Sequence, residues 1–271
     1  MLISIIILNY NGARTLKKCL DSVRNLNFKD YEVIVVDNDS SDNSDKIVKE
    51  YGFKLIRNKK NYGYAEGNNI GIRKAKGKYI FLLNNDAYAD KNCLQYLVSA
   101  VKSKDVGAGG AKIYYKDSKD VWFSGAKEII GGIFNTHVNK SSCDYVSGCA
   151  ILLKRDVLDR VGLLDKKYYL YYEEVDLCKR IRNKGYKVVY EPKAVVYHDI
   201  QKSKVSSHEV YYMNRNRVLY CLKYTKNRLL FTILDFFVYF PLFIGYQVLA
   251  KPKTLFYIRE ILKARIDSLK L

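Results

Sequence analysis

None of the six cysteines, Cys19, Cys93, Cys143, Cys149, Cys178 and Cys221, is spaced as a C-x-x-C pair. A structural zinc site is therefore not expected, and a chain of 271 residues does not need a disulfide framework. Reduced and mostly buried thiols are the expected state. The apolar N-terminus "MLISIIILNYNG" lacks a basic leader and a small-residue cleavage site. It reads as a first strand and not as a signal peptide, which puts the catalytic part in the cytoplasm. There is no internal repeat and no low-complexity tract. Gly107, Gly109 and Gly110 are not followed by a helical pattern, which argues against a dinucleotide-binding fingerprint. Acidic residues are scarce, 28 against 47 Lys and Arg, leaving a formal net charge of +19. Such an excess points to an anionic partner: nucleotide phosphates, nucleic acid or an anionic membrane surface. Charge alone does not choose among them, and a lysine-rich solvated surface is the plain alternative.

What is present is a core-forming chain, 48% apolar, whose first third alternates strand and helix patterns. "ISIIILN", "YEVIVVD" and "YIFLLN" are continuous apolar runs, the mark of strands covered on both faces. Between them, Leu16, Cys19, Leu20, Val23 and Leu26 recur at helical spacing, Ser44 to Tyr51 reads as a short helix, and "YAEGNNIGIRKAKG" as a helix with Gly77 near its end. "EEVDLCKRIRNKGY" is a further helix stopped by Gly185, and "KVVYEPKAVVYHD" reads as two short strands. Three of the strands run into polar clusters, Asn9–Asn11, Asp37–Asp39 and Asn84–Asp86. One such ending is ordinary turn chemistry. Three at equivalent ends of a parallel sheet are expected to converge on one cleft, because ligands bind beyond the carboxyl ends of the strands.

A carboxylate just past a rigid strand suits a hard cation, Mg²⁺ or Mn²⁺, that stabilises a departing nucleotide diphosphate. Asp86 is the candidate ligand. Asn84 would orient phosphate, sugar or a metal-bound water. His198 also ends a strand, and that placement favours a ligand role over a structural one. In order and spacing, "NYNG", "VIVVDNDSSDNS", "NYGYAEGNNIGIRKAKGKYIFLLNNDA", "VSGCAILLKRDVLDRVGLLD" and "YYEEVDLCKRIRNKGYKVVYEPKAVVYHD" resemble the family 2 glycosyltransferases of the GT-A fold, especially the rhamnosyltransferase-like branch. The resemblance covers Ile3 to Asp199.

It implies a Rossmann-like, mostly parallel sheet flanked by helices over residues 1–200. It also implies a metal-assisted, inverting transfer of sugar from a nucleotide-diphosphate sugar to a glycan or lipid-linked acceptor. By the same resemblance Asp37 reads the nucleoside, Asn9 lies beside it, and Gly63, Ala65 and Asn69 belong to the segment under the nucleotide. Asn84-Asn85-Asp86 occupies the place of the metal-binding DxD, and His198 that of the late metal-binding histidine. Glu173-Glu174-Val175-Asp176 matches the motif of the catalytic base, with Glu174 at the second acidic position, Glu173 beside it, and Asp176 supporting. Gly148 falls on the acceptor side. Glu174 stands where the family usually has Asp, which leaves open which carboxylate reaches the acceptor hydroxyl.

Residues 201–271 differ in character and are expected to form a basic, apolar, helical extension that associates with the membrane's cytoplasmic face. Leu229 to Ala250 is a 22-residue stretch whose one charge is Asp235, with Pro241 inside and basic residues at both ends. Two-sided basic flanks favour a segment lying on an anionic surface over a true span, with a soluble helical pair as the third reading. Two other function classes stay in view. A sugar-nucleotide nucleotidyltransferase would carry a Gly-rich basic loop after the first strand, where "NYNGARTLKKC" has one glycine. A non-enzymatic nucleic-acid binder needs no aligned strand-end carboxylates, so no nucleic-acid partner is expected.

Overall fold

The structure is a computed structural model that describes residues 2–138, 142–200, 206–242 and 257–270. The chain divides into two compact units, residues 1–127 with 134–201 and residues 128–133 with 202–271.

The first unit is α/β. Its first half alternates β1 (Ile3–Asn9), α1 (Ala13–Arg24), β2 (Tyr31–Asp37), α2 (Ser44–Glu50), β3 (Lys54–Arg57), α3 (Gly63–Lys74) and β4 (Tyr79–Asn84). Ile3, Ile5, Ile6 and Ile7 are all fully buried, which is why β1 is continuously apolar. α1 presents Leu16, Cys19, Leu20 and Val23 to the sheet, one face at helical spacing. β3, β2, β1 and β4 lie side by side and parallel. The chain works outward from β1 through β2 to β3, then returns to place β4 on the other side of β1. That reversal is a switch point, where connections leave in opposite directions and a crevice opens beyond the strand ends. Gly77 does not cap α3. A Cβ there would stand 2.5 Å from the Ser4 backbone nitrogen, so the glycine permits the approach of two chain segments.

The second half adds β5 (Ala87–Ala89), α4 (Cys93–Ala100), β6 (Val106–Tyr115), β7 (Val121–Phe123), then, after β8 (Lys127–Ile130), which falls largely in the second unit, β9 (Ile133–Asn135), β10 (Ser142–Cys143), β11 (Ala150–Lys154), α5 (Arg155–Val161), α6 (Glu173–Asn183) and β12 (Lys187–His198). β11 joins β4 antiparallel, β6 follows β11 antiparallel, and β12 lies parallel to β6. "KVVYEPKAVVYH" is thus one strand and not two. A register shift between Glu191 and Val195 takes up Pro192, whose missing N–H cannot serve a ladder. The short β5 pairs antiparallel with the end of β12 and sets Ala87 opposite His198. All six cysteines are free and buried.

The second unit contains α7 (Ser207–Tyr224), α8 (Arg228–Leu234) running into a π-helical turn at Asp235–Tyr239, and α9 (Ile258–Ser268), which packs on α7. Ser206 caps α7 by accepting from the Glu209 N–H at 3.1 Å. Asp235, the one charge in the long apolar stretch, is buried and accepts from the buried guanidinium groups of Arg217 and Arg265. Arg217 also donates to the Gly131 carbonyl and lies 3.9 Å from the Tyr239 ring centroid. Among the described residues no helix is long and apolar enough to cross a membrane. Residues 243–250 of the apolar stretch, and the flanking Lys251 and Lys253, lie outside the described residues.

Candidate functional site: strand ends at the switch point

The polar ends of β1, β2 and β4 meet. Asn9 closes β1 beside Asp37, which closes β2, and the Asn9 amide donates to the Asp37 carboxylate at 3.0 Å. The same amide group donates to Ser44 Oγ at 2.7 Å, while its carbonyl accepts from Asn85 Nδ2 at 2.8 Å. Gly12 lies against the Asn9–Asn85 pair so closely that any side chain would collide with both amides. Asp37 is buried and already engaged, accepting from the Ser40 hydroxyl at 2.5 Å and the Ser40 N–H at 3.1 Å. Its carboxylate braces the floor of the cleft. Asp37→Ala is expected to leave the Ser40 donors unsatisfied, at a cost of about 1–3 kcal/mol. If Asp37 contacts a nucleoside, as the resemblance implies, nucleotide binding should weaken more than chemistry slows, because that part of a donor does not react. Urea unfolding and calorimetric nucleotide titration read the two effects; unchanged nucleotide affinity would remove Asp37 from the donor site.

Two residues beyond β4, Asp86 turns its carboxylate to His198 Nε2 at 3.1 Å. The pairing of β5 with β12 makes this contact, and the Asp199 N–H locks it by donating to the Asp86 carbonyl at 2.8 Å. Trp122, the one tryptophan of the chain, packs edge-on to the imidazole with centroids 4.6 Å apart. Burial disfavours the imidazolium, but Cys149 and Asp86 outweigh it and hold His198 up at about 10, so a cation would bind there only by displacing that proton. His198 Nδ1 and, at the end of β4, Asn84 Oδ1 are buried without a hydrogen-bond partner. One carboxylate oxygen, one imidazole nitrogen and a nearby orphaned amide oxygen fit a hard cation that takes its remaining ligands from phosphate and water. Among the described residues no group of three His, Cys, Asp or Glu side chains forms a self-sufficient cage.

Beside Asp86 opens a cavity of about 230 Å³, lined by Tyr10, Asn38, Asn61, Tyr64, Asn84 and Tyr169 among others. Asn38 ties it together, donating to Asn61 Oδ1 at 3.1 Å and to the Gly63 carbonyl at 3.0 Å. Gly63 has φ +77°, and a side chain there would strike the Tyr169 ring. The Tyr169 carbonyl accepts the Tyr64 and Ala65 N–H groups, which anchors the start of α3. Tyr169, Tyr171 and Tyr172 all have left-handed φ, 65°, 67° and 72°. Such backbone costs on the order of 1–3 kcal/mol per non-glycine residue and persists where its surroundings over-determine it. The segment delivers the chain directly into the acidic start of α6.

There Glu173 is buried and Glu174 half-buried. Burial raises both carboxyls. Glu173, which also faces Glu174, is pushed well above the ordinary range. Glu174 is raised too, but backbone N–H groups, Gly148 among them, favour its ionised form. The two carboxyls titrate as a pair, with the backbone N–H groups favouring the ionised form at Glu174. Gly148 is the hinge between this pair and the cavity: its carbonyl accepts from Tyr64 Oη at 2.6 Å, and a Cβ on it would lie 3.5 Å from Glu174 Cβ.

Of the residues expected from sequence, Gly63, Asn84 and Asp86 line the cavity. Asn9, Asp37 and His198 stand immediately behind the lining. Asn69 does not reach it. Its amide donates to the Leu164 carbonyl at 2.8 Å and its carbonyl accepts from the Leu164 N–H at 3.1 Å. Ala65 is fully buried. Asp176 is buried against Arg180 Nε at 2.8 Å, and Arg180 in turn binds the carbonyls of Val161, Gly162 and Leu163. Asn61, Tyr64, Tyr169 and Leu170 line the cavity but were not singled out from sequence, whereas Tyr10 and Asn38 fell inside the strand-end clusters expected to converge there, without a role of their own. For Asn38 the signal was present, since it directly follows Asp37 at a strand end.

A family model described as "Glycosyl transferase family 2" matches residues 4–162. The chain belongs to glycosyl transferase family 2. Over 204 residues it is 28% identical to a poly-beta-1,6-N-acetyl-D-glucosamine synthase of Staphylococcus epidermidis, a match covering 72% of this chain and 49% of that one. It is 24% identical over 232 residues to the low-salt glycan biosynthesis hexosyltransferase Agl10 of Haloferax volcanii, covering 80% and 74%. The chain spans half or less of the length of several curated relatives that it matches, in one case 25%. Among solved structures, the fold is shared with the mannosyltransferase PcManGT of Pyrobaculum calidifontis in complex with GDP-Man and Mn²⁺. The TM-score is 0.68 at 16% identity, covering 98% of this chain and 86% of that one. It is shared equally with S. aureus TarS 1-349 in complex with UDP-GlcNAc, with TM-score 0.64, 18% identity, and coverage of 100% and 81%. The central sheet, mostly parallel and flanked by helices, is the arrangement expected from sequence.

Proposed function

We propose that the chain is an inverting glycosyltransferase of the rhamnosyltransferase-like kind. It would move a hexosyl or deoxyhexosyl group from a nucleotide-diphosphate sugar to a hydroxyl of a glycan or lipid-linked acceptor. The observation that carries this reading is the meeting of Asp86 with His198 beside the Asn9–Asp37–Asn85 cluster at the switch point. Asp86 and His198 are the residues that would hold Mg²⁺ or Mn²⁺. When bound, such a cation neutralises the charge that develops on the departing diphosphate. Asn84, whose amide oxygen has no partner, would orient phosphate, sugar or a water on that cation, and Asn38, Asn61 and Gly63 border the space for the nucleoside.

On the acceptor side, Glu174 takes the hydroxyl proton as that oxygen attacks the anomeric carbon. The bond to the diphosphate oxygen breaks, and its electron pair leaves with the nucleoside diphosphate. Glu173, protonated, keeps a second negative charge away from the base. Strain in the Tyr169–Tyr172 segment and the Tyr64–Gly148 hydrogen bond hold Glu174 toward the cavity. Thermal stabilisation by a panel of nucleotide sugars with Mn²⁺ tests the donor side. One donor class should raise the melting temperature by several degrees; a panel without effect would contradict the reading.

The proposal extends to a membrane. In the second unit Leu229, Phe237 and Leu242 are 72%, 71% and 69% exposed, and basic Lys223, Lys226 and Arg228 precede them. With Asp235 neutralised internally, an apolar surface next to cations suits insertion into an anionic interface on the cytoplasmic face. Each side chain transferred from water contributes about 1.5–3 kcal/mol when fully buried. Replacing Leu229, Phe237 and Leu242 together by Gln should lower sedimentation with phosphatidylglycerol vesicles at least about 10²-fold without altering the melting temperature. Undiminished sedimentation would mean that this surface is not the anchor.

A further inference from the structure

The turn between β8 and β9 departs from the pattern of turns that face water. Ile129 to Ile133, "IIGGI", carries no polar side chain, and Ile129 and Ile130 are 67% and 72% exposed. An exposed turn is ordinarily polar. Here Gly131 and Gly132, with φ of 55° and 73°, meet the need of a two-residue hairpin turn for positive φ, and the residues before them are isoleucines.

The tip is held firmly within the second unit. Gly132 rests on α7, where a Cβ would come within 3.1 Å of Arg217 Cγ and 3.2 Å of Cys221 Sγ. Its N–H donates to the Glu128 carboxylate at 3.4 Å, and that carboxylate also accepts from Tyr220 Oη at 3.2 Å. The Gly131 carbonyl accepts from Arg217 Nη1 at 2.9 Å. These polar groups are engaged by the protein itself, a condition that an apolar environment imposes and water does not.

The same guanidinium ties the tip to the apolar helix. The other terminal nitrogen of Arg217 donates to Asp235, which directly precedes Phe236 and Phe237, 50% and 71% exposed. Two exposed apolar segments far apart in sequence, Ile129–Ile130 and Phe236–Phe237, are therefore anchored on one side chain. Lys223, Lys226 and Arg228, all exposed, lead from α7 into α8. Uncharged isoleucines and phenylalanines with cations nearby complement a bilayer whose headgroups are anionic and whose acyl region accepts apolar side chains. A stable contact with a second copy would bury about 800 Å² on each partner, far more than a two-residue tip supplies.

We infer that the β8–β9 tip is a second membrane-inserting element, placing Ile129 and Ile130 in the same anionic lipid interface as the α8 surface. The inference rests on the membrane reading given above and adds to it a contact made by the segment between β7 and β10.

The test uses the full chain and vesicles of phosphatidylglycerol. The native thiols are all buried, so Ile130→Cys can be labelled selectively with a polarity-sensitive fluorophore. Its emission should shift to the blue when vesicles are added and stay unchanged when protein concentration alone is raised. Ile129→Gln/Ile130→Gln should weaken sedimentation with the same vesicles at least about tenfold, with the melting temperature and nucleotide-sugar stabilisation unaltered. Full sedimentation of the double variant, or a label that stays in water while the protein pellets, would overturn the role of the tip and leave the α8 anchor standing. A blue shift that follows protein concentration without lipid would also overturn it, and would assign the tip to a second copy of the chain. If the unsubstituted chain does not pellet at all, the membrane reading fails and the inference fails with it.

Discussion

Asp86→Ala is expected to abolish sugar transfer while leaving the fold in place. The side chain is 30% exposed and makes its one described side-chain contact with His198, so its loss opens no core cavity. Chemistry is another matter. A nucleoside diphosphate leaves with several negative charges, and each 1.36 kcal/mol of lost stabilisation costs a factor of ten in rate. Losing the carboxylate proposed to anchor a neutralising cation should cost at least about 10³ in turnover at saturating donor. The melting temperature should stay within a few degrees. His198→Ala should cost less, because Asp86 still supplies an oxygen ligand. Full activity of Asp86→Ala in EDTA would end the metal assignment.

Glu174→Gln should cut turnover by on the order of 10²–10⁴ with donor affinity nearly unchanged, since the amide keeps size and hydrogen bonding but cannot accept the proton. Glu173→Gln should do less to turnover and more to the acceptor KM. If Glu173→Gln is the inactive enzyme and Glu174→Gln is not, the two roles are exchanged. Stability provides a second readout. Both carboxyls are raised by burial, so above the ordinary carboxylate range the folded chain binds protons that the unfolded chain has released. Their contribution to stability is therefore intact below about pH 4, where both states are protonated. It is lost as pH rises through the folded values. Either Gln variant removes that loss. Each should melt higher than the unsubstituted protein at pH 7, and the difference should vanish near pH 3. Activity gained from the base runs the opposite way, rising with pH as Glu174 ionises.

The parallel half of the sheet was legible because its strands are buried on both faces, and continuous runs such as Ile3–Ile7 have no other cheap explanation. The strand-end clusters were legible for the same reason, since a polar group directly after such a run must lie at the sheet's edge. The contact between Asp86 and His198 was legible only through the family resemblance, which gives both residues to the metal. It joins residues 112 apart in the chain through the pairing of the three-residue β5, and nothing local in "AYA" signals it. The reading of β12 as two strands failed at Pro192, where a bulge absorbs what would otherwise be a break. Asn69 shows another limit. Its side chain fits the polar pattern of α3, but it is consumed by the Leu164 backbone, a partner that only the fold supplies. The left-handed tyrosines before α6 were invisible for a different reason. Sequence rules reserve positive φ for Gly, Asn and Asp, and strain at a site breaks such rules.

The most direct measurement is product identity. The purified chain is incubated with a panel of nucleotide-diphosphate sugars, and in parallel with nucleoside triphosphates and sugar phosphates, each with Mn²⁺ or with EDTA, and released nucleotide is separated from released pyrophosphate. A glycosyltransferase built on Asp86 and His198 releases nucleoside diphosphate from one donor class, slowly to water and faster to a hydroxyl acceptor, and only with the cation. Pyrophosphate formed from nucleoside triphosphate and sugar phosphate, with every nucleotide sugar left intact, would identify a nucleotidyltransferase and contradict the assignment.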